Sequence, residues 1–281
     1  MAEAVDAPFN RPDNGFNPLE GWTWLGCYGG YYLQADLLSG FEHGFFTRQW
    51  QGRGPEELAG YLSAGISVHR PRQVHGNTVL PASEAEAPPW PDADGLCSDR
   101  GGQSLWVCGA DCTPVLLADP VRGAVAACHA GWRGVASGIL AQAVLQLMAS
   151  GSAAADLVVA LGPAVSGANY QVNHGVSREV AASLTPLMRS AAGAGAGAEE
   201  SNLVEELEAL RRGGALQSDP EPEKDRLDIR QAACIQLNML GISRDRIAIC
   251  PLCTVAEPEL FHSWRRDGVK AVHWSGIVSQ G

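Results

Sequence analysis

Three short segments carry side chains able to hold a transition-metal ion: Gln73-Val74-His75-Gly76, Gly109-Ala110-Asp111-Cys112-Thr113-Pro114 and Cys128-His129-Ala130-Gly131-Trp132-Arg133-Gly134. In each, the metal-capable group stands beside glycine or proline. Small residues let a ligand approach the backbone, and Pro114 stiffens the turn that would aim Cys112. Two imidazoles and one thiolate suit a borderline-soft ion such as zinc, and three protein ligands rather than four leave a position for substrate. Taken singly, each residue type has a commoner use: a histidine at a strand end is hydrogen-bonded, and a cysteine among apolar residues is core. The clustering of Gly, Asp and Arg around His75, Cys112 and His129 together favours the metal.

The elements that must position these groups are legible around them. Apolar runs predict strands at 104–109, 114–118, 123–129 and 156–161, the third made of Ala, Val and Cys as in a strand buried on both faces. Val135, Ile139, Ala143 and Leu147, with Leu140, Val144 and Met148 beside them, predict one helix over 135–149. A β-like segment is expected at 73–80, a strand from Trp22, a short helix at 58–65, a helix at 228–240 and a strand at 246–250. Hairpin-like and helix-linked connections alternate, which predicts an α+β fold of mixed β-sheets layered with helices.

Residues 1–20, rich in Pro, Asn and Asp, are expected to form a loose arm before a single domain over 21–281. Within it, 190–226 changes texture to Ala/Gly alternation, a Glu-rich stretch and Asp219-Pro220-Glu221-Pro222-Glu223. That composition predicts a low-complexity acidic insertion with one solvated helix at 202–212.

With 46% hydrophobic and 18% charged residues over 281, the chain is globular in composition. No apolar run approaches the roughly 18 residues of a bilayer-spanning helix, so no membrane partner is expected. A formal net charge of −11 disfavours nucleic acid and anionic membranes. Nine acidic and four basic side chains between Ser190 and Leu227 place −5 of it in the insertion, so the acidity says little about the substrate. The acidic start, with Glu3, Asp6, Asp13 and Glu20, is unlike a secretory or transit leader, and cytoplasm is expected. The eight cysteines have no small-domain spacing and are expected to be thiols. Among them Cys108 and Cys128 alternate with apolar neighbours, and Cys250-Pro251-Leu252-Cys253 is a lone CxxC without a second pair.

The chain resembles the laccase-domain (YfiH-like) family, first described as multicopper polyphenol oxidoreductases and now understood as purine nucleoside phosphorylases. The resemblance runs from about Gly44 to Arg266 and rests on Gly44-Phe45-Phe46-Thr47-Arg48, the 73–76 segment, Ala93-Asp94-Gly95-Leu96, Ala110-Asp111-Cys112 and His129-Ala130-Gly131-Trp132-Arg133-Gly134. Leu161-Gly162-Pro163, Cys253-Thr254 and Phe261-His262-Ser263-Trp264-Arg265-Arg266 extend it. It implies zinc ligands at His75, Cys112 and His129, and phosphorolysis of adenosine, inosine, guanosine and methylthioadenosine with adenosine deamination beside it. It also implies a layered fold shared with certain bacterial toxin deamidases. Between Arg48 and Gln73 the chain is shorter than is usual in the family, and Gln171 stands where an acidic residue is common.

Given that chemistry, the expected partners are purine nucleosides and phosphate. Guanidinium groups hold phosphate well, which points to Arg133, beside the 135–149 helix start, and to Arg48. Deamination needs a water made nucleophilic near neutral pH, chemistry that a bound zinc ion supplies. Asp111 and Asp94 are the carboxylates near enough in sequence for proton transfer, and capping a turn is their alternative use. Gln73 is expected to read a purine edge or to orient His75.

Three other functions compete. Copper substituting for zinc would support polyphenol oxidation, although a multicopper site needs many imidazoles and the chain has seven histidines. Without metal, Cys112 as thiolate and His129 as base would make a cysteine hydrolase or deamidase. The acidic 199–226 segment would instead be the docking surface of a non-enzymatic binding protein.

Overall fold

The computed structural model describes residues 11–13, 15–27, 30–187 and 203–281. The central strands are apolar on both faces because each is covered on both faces. In the strand Thr113–Ala118, Val115 and Leu117 face one core while Leu116 and Ala118 face another, as the two-residue period of a strand requires.

Among the described residues the first sheet runs, in spatial order, β1 (Arg11–Pro12), β2 (Trp22–Cys27), β3 (Gly30–Ala35), β4 (His43–Phe46), β16 (His273–Val278), β8 (Gln103–Gly109) and β5 (Ser67–His69). The second runs β15 (Ile247–Ile249), β11 (Val158–Leu161), β9 (Thr113–Ala118), β10 (Val125–Ala130), β7 (Gly95–Cys97) and β6 (Val79–Pro81). A small third sheet joins β12 (Gln171–Asn173), β14 (Lys224–Leu227) and β13 (Leu216–Ser218). Parallel pairs (β5 with β8, β6 with β7, β11 with β15) occur among antiparallel ones, so the sheets are mixed. The fold is α+β.

One core lies between the two large sheets, where Leu33, Phe45, Leu105, Val107 and Ile277 meet Leu116, Ala127, Val158 and Ala160. On the outer side of the first sheet, Trp106, Phe46 and Tyr32 pack with Leu58 and Ala59 of α1 (Pro55–Leu62). The outer side of the second sheet is covered by α3 (Ile139–Ala149), α4 (His174–Ala182) and α6 (Ile229–Met239), through Leu140, Val144, Val180, Ala233 and Leu237. None of the described helices is long and apolar enough to cross a membrane.

The structure corrects four sequence expectations. The helix expected over 135–149 is two, α2 (Trp132–Ala136) and α3, because Gly138 takes a left-handed φ of 83° between them. The β-like segment at 73–80 pairs only from Val79 onward. Residues 1–10 of the expected loose arm lie outside the described residues, but beyond them Arg11–Pro12 pairs with β2, and the Phe16 ring stacks on Tyr31 at 3.8 Å.

The largest correction is the expected solvated insertion. Its 190–202 part lies outside the described residues. The remainder forms α5 (Leu203–Arg212), β13 and β14, and Leu210, Ala215, Leu216 and Leu227 are buried in the helix-side core. Leu203, Leu207 and Leu210 recur at helical spacing and turn to that core. Even Glu206 is buried, its carboxylate accepting from the Thr185 hydroxyl.

Candidate metal centre

The antiparallel pairing of β9, β10 and β7 assembles the site. His129, next to last in β10, lies opposite Pro114 of β9, which places Cys112 just beyond the strand start on one side. On the other side Cys128 lies opposite Gly95 of β7, which places Asp94 beside His129, and the His129 N–H donates to the Asp94 carbonyl at 2.7 Å.

Asp94 then brings in the third residue. Its buried carboxylate accepts from three successive backbone N–H groups, Val74 at 3.1 Å, His75 at 2.9 Å and Gly76 at 2.7 Å. Such a nest of amides holds an anion and fixes the loop around it. The loop is bent by a left-handed His75, φ 62°, a conformation that side chains adopt rarely and that the Asp94 bonds maintain. This is why 73–78 cannot pair as a strand.

His75, Cys112 and His129 thereby place their ligand atoms within 4.8 Å of one another. The two imidazole rings stand nearly perpendicular, with centroids 4.8 Å apart. His129 Nδ1 is 2.9 Å from Asp94 Oδ1, which leaves Nε2 as its free ligand atom. Burial pushes the Cys112 thiol up, but hydrogen bonds and charge from His129 and His75 outweigh it and bring it down to about 6. Burial works the opposite way on His129, and its bonds to Asp94 and Cys112 raise it to about 9. The pocket therefore favours a thiolate at neutral pH, the form that ligates a metal.

The donor set fits zinc. Zinc–nitrogen and zinc–sulfur bonds of about 2.0–2.1 and 2.3 Å let one ion reach three atoms so grouped. Gly131 is part of the cradle: a Cβ there would lie 2.8 Å from Cys112 Sγ and 3.7 Å from His75 Cδ2. Gly131→Ala is expected to weaken zinc binding roughly tenfold or more, the usual size of an overpacking penalty. Elemental analysis beside an unchanged circular-dichroism spectrum is the check, and full zinc occupancy would show that the thiol can yield.

The other sequence-predicted residues are placed as follows. Asp111, with φ 101°, is buried, and both its oxygens are engaged, by the Thr254 hydroxyl at 2.6 Å and the Arg265 N–H at 2.7 Å. It fixes the loop that carries Cys112. The Gln73 amide is taken up by the Cys108 backbone, accepting from its N–H and donating to its carbonyl, both at 2.8 Å. Arg133 is exposed, with its guanidinium 4.4 Å over the Trp132 ring. Arg48 donates to the Pro258 carbonyl at 2.6 Å. Cys253 Sγ accepts from Ser166 and Asn169, at 3.2 Å from the Ser166 hydroxyl.

Two further residues, to which the sequence assigns no role, stand at the site. Tyr170 stacks under the Arg265 guanidinium at 4.6 Å, and Arg265 Nη1 donates to the Gln171 carbonyl at 2.9 Å. The Tyr170 phenol is pushed up to about 12, by burial first and then by the Cys112 and Asp111 charges, against the opposing Arg265 and Arg133. Gln171 itself donates to Asp219 and Glu221, both at 3.0 Å. An acidic residue at 171 would repel that loop.

A family model described as multi-copper polyphenol oxidoreductase laccase matches residues 56–279. The chain belongs to this family. A relative in Synechocystis, named purine nucleoside phosphorylase, is 41% identical over 264 residues, covering 92% of this chain and 97% of its own. A Mycobacterium tuberculosis relative of the same name is 34% identical over 195 residues, 69% of this chain and 65% of its own. The YfiH protein of Bacillus licheniformis has a similar solved structure, with TM-score 0.70, 25% identity and coverage of 89% of this chain and 96% of its own. A Neisseria meningitidis structure gives TM-score 0.63 at 26% identity, covering 94% and 96%.

The laccase family's description invokes several copper ions. Among the described residues of this member, His75, Cys112 and His129 make one group of three or more metal-capable side chains. The other histidines are differently employed. The His43 ring bridges the Ala35 N–H and the Phe41 carbonyl, His69 bonds Ser67, and His262 stacks with His273 at 6.4 Å.

Proposed function

We propose that this laccase-family chain is a zinc-dependent purine nucleoside phosphorylase that also deaminates adenosine, acting in the cytoplasm. Its substrates are adenosine, inosine, guanosine and methylthioadenosine together with phosphate. The observation that carries the reading is the convergence of His75, Cys112 and His129, whose ligand atoms all lie within 4.8 Å of one another. The names of the relatives supply the substrate class.

A bound zinc ion supplies a Lewis acid there, and copper can replace it because such sites favour Cu²⁺. The chain's own groups do the positioning. Asp94 selects the His129 tautomer and holds His75, Asp111 holds the Cys112 loop, and Arg133 neutralises phosphate, with Arg48 the second phosphate candidate and Gln73 the candidate for the purine edge. In phosphorolysis a phosphate oxygen bonds to ribose C1′ while the C1′–N9 bond breaks. Its electron pair leaves with the purine, which takes up a proton. A nucleoside panel incubated with and without phosphate tests this directly, since ribose 1-phosphate forms only if phosphate is the nucleophile.

Arg133→Ala is expected to cut phosphorolysis about 30-fold or more while sparing deamination, because only the first reaction needs the anion held. Chromatography of adenine and inosine formed from adenosine reports both reactions in one sample. Equal loss of both products would make Arg133 a structural residue of the pocket.

A second reading draws on the lowered Cys112 thiol beside His129. Without metal, His129 would be the base that takes the Cys112 proton, and the resulting thiolate the nucleophile of a cysteine hydrolase. That reading requires activity to survive chelation and to be lost on thiol alkylation, the reverse of the zinc reading.

A further inference from the structure

Tyr170 stands beside the Cys112 loop: Asp111 holds the Arg265 N–H at 2.7 Å, and the Arg265 guanidinium lies over the Tyr170 ring. The Cys112, Asp111, Arg265 and Arg133 charges all bear on its phenol. The ring is fixed in place. Its face lies 4.6 Å from Arg265, its carbonyl accepts from the Leu227 N–H at 3.1 Å, and its side chain packs against the helix-side core. Arg265 is fixed too, its backbone N–H held by Asp111 and its Nη1 by the Gln171 carbonyl.

What these groups lack is an anion. Among the described residues, neither the Arg133 nor the Arg265 guanidinium has a carboxylate within ion-pair distance, whereas Arg226, Arg230 and Arg266 nearby are paired with Asp219, Asp228 and Asp267. The Tyr170 hydroxyl makes no hydrogen bond to a described residue and is not sealed from solvent. Two guanidinium groups only donate, and the phenol has its O–H to donate beside them. Such a donor set recognises a small tetrahedral oxyanion.

We infer that Tyr170 and Arg265 form a phosphate clamp beside the metal centre, with the Tyr170 hydroxyl donating to one phosphate oxygen, the Arg265 guanidinium taking others, and Arg133 adding its charge. This rests on the phosphorolysis reading and refines it. Tyr170 and Arg265 make phosphate rather than water the preferred nucleophile. The third sheet, which carries Gln171 and bonds Tyr170 through Leu227, is then the frame that sets the clamp's distance from Cys112.

Inorganic phosphate titrated calorimetrically into zinc-loaded protein, without nucleoside, tests the clamp apart from turnover. Tyr170→Phe removes only the hydroxyl and is expected to weaken phosphate about tenfold, and Arg265→Gln about 30-fold. Arg265→Lys should recover part of that loss. Zinc content and the KM for nucleoside should stay as in the wild type, while the KM for phosphate rises with kcat little changed. Wild-type phosphate affinity in both Tyr170→Phe and Arg265→Gln, in an enzyme that still forms ribose 1-phosphate, overturns the clamp and leaves the phosphorolysis reading standing. A wild-type protein that neither binds phosphate nor forms ribose 1-phosphate overturns both. Loss of zinc or of nucleoside affinity alongside phosphate would make Tyr170 and Arg265 supports of the fold, and the clamp would be wrong.

Discussion

The purified protein is expected to carry about one zinc per chain, and to lose it together with both activities on His75→Ala, Cys112→Ala or His129→Ala. Each substitution removes one of the three ligand atoms grouped within 4.8 Å. Asp94→Asn should be nearly as damaging although it touches no metal. The Asp94 carboxylate accepts four bonds, from three backbone N–H groups and the His129 ring. An amide offers one acceptor oxygen and an NH₂ that opposes the remaining donors. His75 then loses the bonds that hold its left-handed backbone, and His129 loses the partner that selects its tautomer. Removing the carboxylate behind a ligating histidine typically costs about 10–100-fold in metal affinity. Because Asp94 serves two ligands, the upper end is expected. Elemental analysis and competition with a chelator would measure it. A full zinc complement in the triple ligand variant would place the site elsewhere, with Cys250 and Cys253 the next thiols to examine.

The contrast between Asp94 and Cys112 shows what a sequence can disclose here. Cys112, His75 and His129 are legible because their chemistry resides in their own side chains and each stands in a Gly- or Pro-marked turn. From sequence, Asp94 looks like a carboxylate for proton transfer. Its partners are backbone amides in a loop about twenty residues earlier, and backbone donors are the same at every position. The 73–78 loop was misread for the same reason: apolar alternation registers no left-handed residue and no carboxylate nest. Tyr170 and Arg265 are harder still. They meet only because Tyr170, just before β12, and the short helix α7 (Trp264–Asp267) converge on the Cys112 loop, where Arg265 bonds Asp111 and the Gln171 carbonyl. The layered α+β arrangement, by contrast, follows from local apolar runs. Those runs persist whichever strands they pair with.

The acidic segment was misread through composition, and that error carries the other large expectation. Deleting 203–224 should abolish the cooperative thermal transition, where composition alone would expect a tolerated change. The deletion removes α5 and β13 and, with them, Leu210, Ala215 and Leu216 from a core shared with α3, α4 and α6. A single buried Leu→Ala substitution costs about 2–5 kcal/mol, so losing two leucines and their supporting backbone approaches the about 5–15 kcal/mol stability of a whole domain. It also strips β14 of its partner β13 and removes Lys224, the β14 residue opposite Asn173. Shortening the chain only within 191–198 removes none of these contacts, and loop-closure entropy changes slowly with length. That shorter deletion should retain the melting temperature and the zinc. Leu210→Ala gives an intermediate test, a stability loss within the same 2–5 kcal/mol range by denaturant titration. A 203–224 deletion that melts like the full chain would show that α5 and β13 rest on the domain without supporting it. Phosphate binding would then have to be measured in that variant, because Tyr170 would have kept its place although β14, which bonds it through Leu227, had lost its partner β13.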